Sequence, residues 1–456
     1  MSRIWPAARR CLLPIYFFIM PKISVIGAGS AVFSLNFIRD VCLKPNLRGC
    51  TVHFMDIDQS RLDGAHGLCV RYAQEVGLEL DLRKTTNRSE ALQGADIVLN
   101  LALVAGHHRL RAGWDLARTF GYEWGGSLHV MHDEAFWINF YQLKLFESVM
   151  QDIEAICPNA FYIQLDNPVM AGMTLMHRKY PHRAGRMVGL CHGYAAVYWL
   201  AMQLGIPRQG LTYEIPGVNH FVWLTKLFSN GEDMMPRVRE WAASQPNDKL
   251  ADLCRRVGVY PIGDTGTDGG GSWGWWYHRD AATLKHWQED PSVFWNGYFT
   301  SGEAMVANIQ RVVQDTSAKV TEVFPAGESD ELMVPLIEAL LCDIPRVLIG
   351  NVGNAGEYVP GVPRDFAVEV PTLVSKRGIQ PISTHPLPPT ALAYLLRDCV
   401  APVNLELAAH EQRNKQMLVE LVMMDPWTTS ETQARNMIDA VLALPVHAEM
   451  RAHYEG

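Results

Sequence analysis

Three short segments contain side chains that could bind a metal ion and a sugar. They are Asp166-Asn167-Pro168, Cys191-His192-Gly193 and Asn219-His220. A thiolate and an imidazole can share one divalent metal, and an amide can hold a sugar hydroxyl beside it. Taken alone, Cys191 is more typical of a small buried apolar residue, and a lone His of a hydrogen-bonded core residue. The metal interpretation therefore depends on the elements around these segments.

The segment Gly27-Ala28-Gly29-Ser30 is typical of a dinucleotide-binding turn, although the third glycine of the usual fingerprint is absent. It follows a predicted strand, residues 23–26, and opens a predicted helix, so its backbone N–H groups can approach a pyrophosphate. A second predicted strand ends at Asp56, where a carboxylate can bond the adenosine ribose and would repel a 2′-phosphate. NAD is therefore favoured over NADP. The alternative is that Asp56 caps the next helix, a role that Asp58 could fill equally well.

Strand and helix patterns continue to alternate as far as Cys191. The predicted buried strands are residues 95–100, 161–165 and 186–190, and the predicted helix is residues 134–156. Ligands of open parallel sheets bind beyond the carboxyl ends of the strands. Gly27, Asn100, Asn167 and Cys191 lie at such ends and are expected to share one site. The predicted NAD-binding residues are Gly27, Gly29, Ser30, Asp56 and Asn100.

After Tyr194 the pattern changes to mixed strands and longer amphipathic helices. The predicted strands are residues 211–215 and 221–228, and the predicted helices are residues 390–400, 404–424 and 430–444. Pro402 is expected to separate the first two helices. The glycine-rich residues 263–272 lack the Lys-Ser/Thr ending of a phosphate-binding loop and are interpreted as a mobile loop or lid.

Length and composition indicate a two-domain enzyme, and the alternation of strands and helices indicates the α/β class. A chain of 456 residues is too long for one compact core, so residues 20–195 and 196–456 are the expected domains. The net charge of -8 argues against nucleic acid or an anionic membrane as the main partner. Nine scattered cysteines fit a reducing cytoplasm better than a disulfide framework.

Residues 1–19 are predicted to be an upstream extension, with Met20 as the true start. Three arginines precede an apolar run, residues 11–20, which imitates a signal peptide. However, Pro14 interrupts the run, no small-residue cleavage site follows, and the first predicted strand begins at Lys22. The run is also too short to span a bilayer.

A series of motifs runs in order from about residue 20 to the end of the chain. They are Val25-Ile26-Gly27-Ala28-Gly29-Ser30, Asp56-Ile57-Asp58, Arg111-Ala112-Gly113-Trp114-Asp115, Asn167-Pro168, Cys191-His192-Gly193, Gly217-Val218-Asn219-His220, Asn351-Val352-Gly353-Asn354, Val368-Glu369-Val370-Pro371 and Asp425-Pro426. Together they resemble the NAD- and metal-dependent glycosidases of glycoside hydrolase family 4. Any one motif is unspecific, but their order and spacing are specific.

The resemblance implies a Rossmann-type NAD-binding domain followed by a lactate/malate dehydrogenase-like C-terminal α+β domain, which carries the catalytic, substrate and oligomerisation roles. It also implies that Cys191 and His220 bind a divalent metal, usually manganese. Asn167 and Asn219 are the expected substrate-binding residues. A small-molecule glycoside is the expected partner, and a homodimer or homotetramer is the expected assembly.

The resemblance further implies a redox route to glycoside cleavage. NAD oxidises C3 of the sugar, a base removes the C2 proton, the aglycone leaves from C1, and hydride later returns from the same cofactor. The base of the family is a Tyr, and Tyr260 best matches its place. Tyr277 is the competitor, and its other interpretation is aromatic packing. His192 could protonate the leaving group or orient Cys191.

The residue after the metal Cys is related to the type of substrate in this family. A Cys-His pair accompanies unphosphorylated glycosides, and Cys-His-Gly resembles the α-glucuronidase and α-galacturonidase branches. The resemblance therefore favours an α-linked uronide here. Arg109 or Arg111 could face its carboxylate, although solvated surface positions are the other interpretation. The histidines His129 and His132, with Asp133, stand where small residues are expected, so the substrate pocket is predicted to be unusual.

Two other classes of function remain open at this point. An NAD-dependent 2-hydroxy acid dehydrogenase, malate/lactate-like, would share the fold and cofactor but would produce NADH and need no metal. It also expects an Arg and a His-Asp pair in the second domain, which is not evident. An NAD-sensing binding protein would leave Cys191, His220 and Tyr260 without a role.

Overall fold

The computed structural model describes residues 20–104, 106–123, 135–266, 273–288, 290–315 and 317–456. Several predictions concern residues outside these ranges. They are the extension 1–19, residues 267–272 of the predicted lid, and His129, His132 and Asp133.

Strands and helices alternate along the described chain. The strands are β1 Lys22–Ile26, β2 Thr51–Met55, β3 Asp81–Thr85, β4 Ile97–Asn100, β5 Phe161–Gln164, β6 Met187–Gly189, β7 Leu211–Glu214, β8 Gly217–Val218, β9 Phe221–Leu224, β10 Lys226–Ser229, β11 Glu232–Asp233, β12 Tyr260–Ile262, β13 Arg346–Gly353, β14 Ala367–Ser375 and β15 Gly378–Pro381. The helices are α1 Ala31–Cys42, α2 Gln59–Glu75, α3 Arg88–Leu92, α4 Gly106–Thr119, α5 Phe136–Ile156, α6 Val169–Lys179, α7 Ala196–Gln203, α8 Met235–Ser244, α9 Lys249–Val257, α10 Ala281–Trp287, α11 Pro291–Gln314, α12 Val320–Val323, α13 Met333–Cys342, α14 Pro389–Leu395, α15 Ala401–Gln412, α16 Lys415–Met423, α17 Glu431–Ala443 and α18 Ala448–Glu455.

The N-terminal half is a parallel sheet in the order β3-β2-β1-β4-β5-β6. This is the strand order of a Rossmann dinucleotide-binding fold, in which helices cover both faces of the sheet. The central strand β4 is buried along its whole length, as expected for a strand enclosed on both sides. The predicted α/β fold class is confirmed.

The C-terminal half extends the same sheet with antiparallel strands. β6 pairs with β13, and the order continues through β14, β8 and β9 to β12. A smaller sheet contains β7, β10 and β11. The strands of one sheet therefore belong to both expected domains, and the boundary at residue 195 stays a prediction.

The prediction that Pro402 separates two C-terminal helices is wrong. α14 continues through a π-helical turn, Leu396–Val400, directly into α15, and Pro402 lies in the first turn of α15. Proline lacks the N–H that would bond the preceding turn, and the π-helical turn directly before it relaxes the regular bonding of the continuous helix. The helix ends at Arg413 instead, which has a φ of 54°, and the Asn414 side chain then caps α16.

Among the described residues, no helix is both long enough and apolar enough to span a membrane. One core surrounds the large sheet, and a second core packs α4, α5 and α11 against α15–α18. A third core lies beneath β9 and β12 and contains residues of α7, α8 and α9.

Candidate functional site

Cys191, His220 and Asp264 meet at the carboxyl edge of the sheet. The Cys191 sulfur, a ring nitrogen of His220 and a carboxylate oxygen of Asp264 all lie within 4.8 Å of one another. His220 Nε2 lies 3.4 Å from Asp264 Oδ2. Within the described part of the chain, this is the one group of three such side chains with metal-site spacing. A thiolate, an imidazole and a carboxylate suit a borderline divalent cation, so the donor set fits the expected metal.

Each of the three side chains follows the end of a strand. Cys191 comes two residues after β6, and Asp264 comes two residues after β12. His220 occupies the turn between β8 and β9 with a φ of 62°, a left-handed conformation that is uncommon for a side chain larger than glycine. Strained backbone of this kind often occurs at functional sites, where the surrounding structure holds it in place.

One contact brings the Asp264 segment against the Cys191 segment, and another brings it against the strand that follows His220. Gly193 and Gly263 approach so closely that a Cβ on Gly263 would lie 2.9 Å from the Gly193 Cα atom. The Thr265 hydroxyl accepts a hydrogen bond of 2.8 Å from the Val222 N–H and donates one of 2.9 Å to the Val222 carbonyl. These contacts fix Asp264 between the two residues that were predicted from sequence.

Asp264 was not predicted as a site residue. It belongs to the glycine-rich segment that was interpreted as a lid, and an isolated acidic residue in such a segment is not specific. The available signal was its position directly after an apolar strand, Tyr260–Ile262, the same position that drew attention to Asn167 and Cys191.

His192 faces a carboxylate on its other side. Its Nδ1 lies 3.7 Å from Glu331 Oε1, and that contact raises the pKa of His192. The Cys191 sulfur instead accepts a hydrogen bond of 3.4 Å from the Gly193 N–H. This geometry favours a proton-donating role for His192 over the alternative of orienting Cys191.

Asn167 lies at the same edge as the metal cluster. Its peptide bond to Pro168 is cis, and its carbonyl accepts a 3.0 Å hydrogen bond from Gln142. The same Gln142 amide donates to the carbonyl of Ala102 at 3.1 Å. Ala102 is the residue against which Gly27 packs, since a Cβ on Gly27 would lie 2.5 Å from the Ala102 Cα atom. Gln142 therefore links the segment of Asn167 to the dinucleotide-binding turn.

Asn219 is fully buried and points to a neighbouring strand. Its Nδ2 donates a hydrogen bond of 3.0 Å to Glu369 Oε2. Asn351 donates to the same oxygen at 2.9 Å. Burial raises the pKa of Glu369, although these two hydrogen bonds and the charge of His220 oppose the shift. This position suits a residue that supports the His220 turn better than one that contacts a substrate.

The structure does not bring either tyrosine candidate to the metal cluster. The Tyr260 hydroxyl is enclosed in the third core, packs beside Trp241 and has no hydrogen-bond partner. Burial raises the pKa of Tyr260, so the tyrosinate needed for a base is disfavoured. The Tyr277 hydroxyl donates a 2.6 Å hydrogen bond to Asp252 and accepts one of 3.1 Å from Arg256.

The two arginines proposed to face a substrate carboxylate have partners in the protein. Arg109 donates to the carbonyls of Val446 and Val104 and lies over the ring of Tyr141. The Arg111 guanidinium lies over Phe299 and forms an ion pair of 3.7 Å with Asp115. Their role in recognising a uronate stays a prediction.

The dinucleotide-binding turn follows β1 directly. The N–H groups of Gly27 and Ala28 donate to the Met55 carbonyl, and Gly29 N donates to Asp56 Oδ2 at 2.8 Å. Gly27 has a φ of 81°, which glycine adopts without strain. Ser30 precedes the first residue of α1, whose N-terminus therefore faces the end of the sheet where a pyrophosphate would bind.

Asp58, and not Asp56, caps α2, because its carboxylate accepts a 3.0 Å hydrogen bond from Arg61 N. Asp56 lies just after β2, where its Oδ2 accepts a hydrogen bond from Gly29 N at 2.8 Å and its Oδ1 accepts one from Asp58 N at 2.9 Å. Asn100 is fully buried, where its amide donates to Tyr162 and its Oδ1 accepts from Ala102 N. Asn100 therefore supports the backbone at Ala102, the residue against which Gly27 packs.

We expect Asp56→Ala to weaken NAD binding and to narrow the preference for NAD over NADP. The carboxylate is proposed to bond the ribose 2′-hydroxyl and to repel a 2′-phosphate. Fluorescence titration with both cofactors measures the change, and Asp58→Ala is the matched control. An equal loss of affinity for NAD and NADP would indicate that Asp56 only holds the Gly29 turn.

A parallel sheet in this strand order, with a glycine turn after its first strand, defines an α/β protein of the dinucleotide-binding class. Residues 22–204 match the family model described as Family 4 glycosyl hydrolase, and residues 215–428 match that of the Family 4 glycosyl hydrolase C-terminal domain. The chain belongs to family 4 of the glycosyl hydrolases, and the resemblance predicted from its motifs is confirmed.

Curated relatives are similar over nearly the whole chain. An alpha-galactosidase of Bacillus subtilis (strain 168) is 24% identical and covers 92% of this chain and 96% of its own length. An alpha-galacturonidase of Thermoanaerobacterium saccharolyticum is 23% identical and covers 89% of this chain and 91% of its own length. The similarity therefore extends across both expected domains.

Solved structures agree with the predicted fold. A 6-phospho-alpha-glucosidase from gut microorganisms in complex with NAD and Mn2+ has a TM-score of 0.75 at 17% identity, covering 93% of this chain and 97% of that one. Malate dehydrogenase of Cryptosporidium parvum has a TM-score of 0.51 at 17% identity, covering 86% of this chain and 100% of that one. The malate dehydrogenase-like architecture is confirmed.

Proposed function

We propose that this protein hydrolyses an unphosphorylated α-glycoside, with an α-linked uronide as the favoured substrate, and that it uses NAD and a divalent metal such as Mn2+. The observation that carries the proposal is the Cys191, His220 and Asp264 cluster at the carboxyl edge of a dinucleotide-binding sheet. Family membership and the NAD- and Mn2+-containing neighbour support the same cofactors.

When bound, NAD accepts hydride from C3 of the sugar, and a divalent metal stabilises the charge that develops on the neighbouring oxygens as the C2 proton leaves. The Gly27 turn and the N-terminus of α1 would hold the cofactor, and Asp56 would bond its ribose. Cys191 and His220 would hold the metal. Asn167 lies at the same edge and would anchor a sugar hydroxyl.

We propose Asp264 as the base in place of Tyr260. The base must lie beside the group that stabilises the developing charge, so it should adjoin the residues that would hold the metal. Asp264 meets this requirement, because its carboxylate lies 3.4 Å from the His220 ring. Tyr260 is enclosed in a core, and Tyr277 is bonded to Asp252. Asp264 could also serve as a third metal ligand, and these two roles predict different metal affinities for its variants.

His192 would protonate the oxygen of the leaving group. It is half exposed, it adjoins a metal ligand, and the Glu331 carboxylate favours its protonated form. The proton that Asp264 removes from C2 and the proton that His192 gives to the aglycone balance the elimination. Water would then add across the resulting double bond, and the redox chemistry that bound NAD supplies would restore the C3 hydroxyl.

Two observations favour an unphosphorylated uronide. The residue after Cys191 is His, the pair that accompanies unphosphorylated glycosides in this family. The relatives include a protein named alpha-galacturonidase. Arg109 and Arg111 on α4, the helix that follows β4, are the candidates for a uronate carboxylate.

A panel of nitrophenyl glycosides with NAD, Mn2+ and a thiol reductant tests the proposal. Release of nitrophenol is expected from an α-uronide or another unphosphorylated α-glycoside, without net formation of NADH. Omission of NAD, or excess chelator, should abolish the release. Net NADH formation from malate or lactate would instead support the weaker alternative, a 2-hydroxy acid dehydrogenase.

We also propose a homodimer or homotetramer located in the cytoplasm. Exposed apolar side chains on α11, including Val293, Tyr298 and Met305, provide a surface that a second subunit could cover. The eight cysteines among the described residues are free thiols, which fits a reducing compartment. Light scattering and cell fractionation are the corresponding measurements.

A further inference from the structure

A row of paired residues connects the two segments that carry Cys191 and His220. Gly189 of β6 pairs with Asn351 of β13, Asn351 pairs with Glu369 of β14, and Glu369 pairs with Gly217 of β8. Cys191 follows Gly189 by two residues, and His220 follows Gly217 by three. The separation of the two segments is therefore set by this row.

Side-chain hydrogen bonds strengthen the same connection. Asn351 Nδ2 donates to Glu369 Oε2 at 2.9 Å and to the Gly189 carbonyl at 3.5 Å. Asn219 Nδ2 donates to Glu369 Oε2 at 3.0 Å. A continuous path thus runs from the backbone before Cys191, through Asn351 and Glu369, to the residue next to His220.

Burying an ionised Glu369 carboxylate costs free energy, so the carboxylate needs a compensating interaction. Glu369 is 1% exposed, and Asn219 and Asn351 are at most 1% exposed. The ion pairs among the described residues do not include Glu369. An ionised carboxylate in such surroundings is retained where it is hydrogen-bonded and a cation balances it.

We propose that Glu369 is a positioning residue for the metal centre. Its carboxylate, bonded by Asn219 and Asn351, holds the Cys191 and His220 segments at the separation that one metal ion requires. It also adds negative charge beneath that ion. The proposal rests on the metal dependence of the proposed function and goes beyond it, because it assigns a role to a residue that contacts neither substrate nor cofactor.

The test is the isosteric variant Glu369→Gln, which keeps the volume but removes the charge and replaces one acceptor by a donor. We expect the Kd for Mn2+ to rise about tenfold to a hundredfold, the usual effect of losing a group that supports metal ligands. The Kd for NAD should stay within about twofold. Competition with a fluorescent chelator measures Mn2+ binding, and fluorescence titration measures NAD binding, both without turnover.

The matched control is Glu406→Gln. Glu406 is also buried, at 2% exposed, and its carboxylate accepts hydrogen bonds of 3.0 and 3.1 Å from the Asn139 amide in the helical core. This change should lower stability without altering the affinity for Mn2+. If Glu369→Gln is insoluble, Asn351→Ala gives the same readout with the charge retained and should weaken Mn2+ binding less.

Three results are decisive. Weakened Mn2+ binding with unchanged NAD binding supports the positioning role. An unchanged Mn2+ affinity in Glu369→Gln, or an equal loss of affinity for Mn2+ and NAD, overturns that role while the proposed function stands. A wild-type protein that binds no Mn2+ overturns the proposed function together with this inference.

Discussion

Replacing Cys191 with Ser, or His220 with Ala, is expected to reduce glycoside hydrolysis at least about a hundredfold, because each change removes one of few metal ligands. Binding of NAD should change little, since the cofactor turn lies after β1 and the two ligands follow β6 and β8. The measurements are kcat/KM on the substrate found in the glycoside panel, the Kd for Mn2+ and the Kd for NAD.

The controls for this prediction use the same residue types outside the cluster. Cys342→Ser changes a partly exposed free thiol at the last residue of α13, and His385→Ala changes an exposed ring that pairs with Glu214. Both variants should retain activity and Mn2+ affinity. Full activity of Cys191→Ser or His220→Ala in excess chelator would remove the metal from the mechanism.

A second large effect is expected for the base. Asp264→Asn should lower the rate about 10²- to 10⁴-fold, the usual contribution of a positioned proton-transfer group. Turnover by the wild-type protein in heavy water should place deuterium at C2 of the released sugar, and Asp264→Asn should lose this exchange. If Asp264 is only the base, the Mn2+ affinity of Asp264→Asn should stay near that of the wild type. If Asp264 is also a metal ligand, both the rate and the Mn2+ affinity of this variant should fall.

Tyr260→Phe is the matched comparison for this prediction. Its hydroxyl is buried without a hydrogen-bond partner, so its removal should leave stability unchanged or slightly higher. The variant should keep the rate and the exchange at C2. Loss of exchange in Tyr260→Phe, with retention in Asp264→Asn, would return the role of base to the tyrosine.

A sugar deuterated at C2 addresses the case in which the base returns the same proton without solvent exchange. A slow C–H step should then appear as a rate decrease for the deuterated substrate. Absence of both the exchange and the isotope effect would count against elimination as the reaction type.

Much of the fold could be predicted because it depends on local patterns. The buried strand Ile97–Asn100 reads as a continuous apolar run, and Gly27 requires a positive φ that glycine adopts freely. Prediction was wrong where two local signals compete, as at Pro402. A proline that a π-helical turn accommodates within one helix and a proline between two helices look alike in sequence.

By itself, the sequence determined the dinucleotide-binding half and the family. It also placed Cys191 at the site, because strand ends in a parallel sheet converge on one edge. The pairing of Cys191 with His220 was implied by the family resemblance. Only the tertiary structure decided that Asp264 joins them, that Tyr260 does not, and that Glu369 lies beneath the cluster. These residues are distant in the chain and become neighbours through strand pairing, which short-range patterns do not encode. Whether a polar side chain is enclosed or accessible depends in the same way on elements that pack against it from elsewhere in the chain.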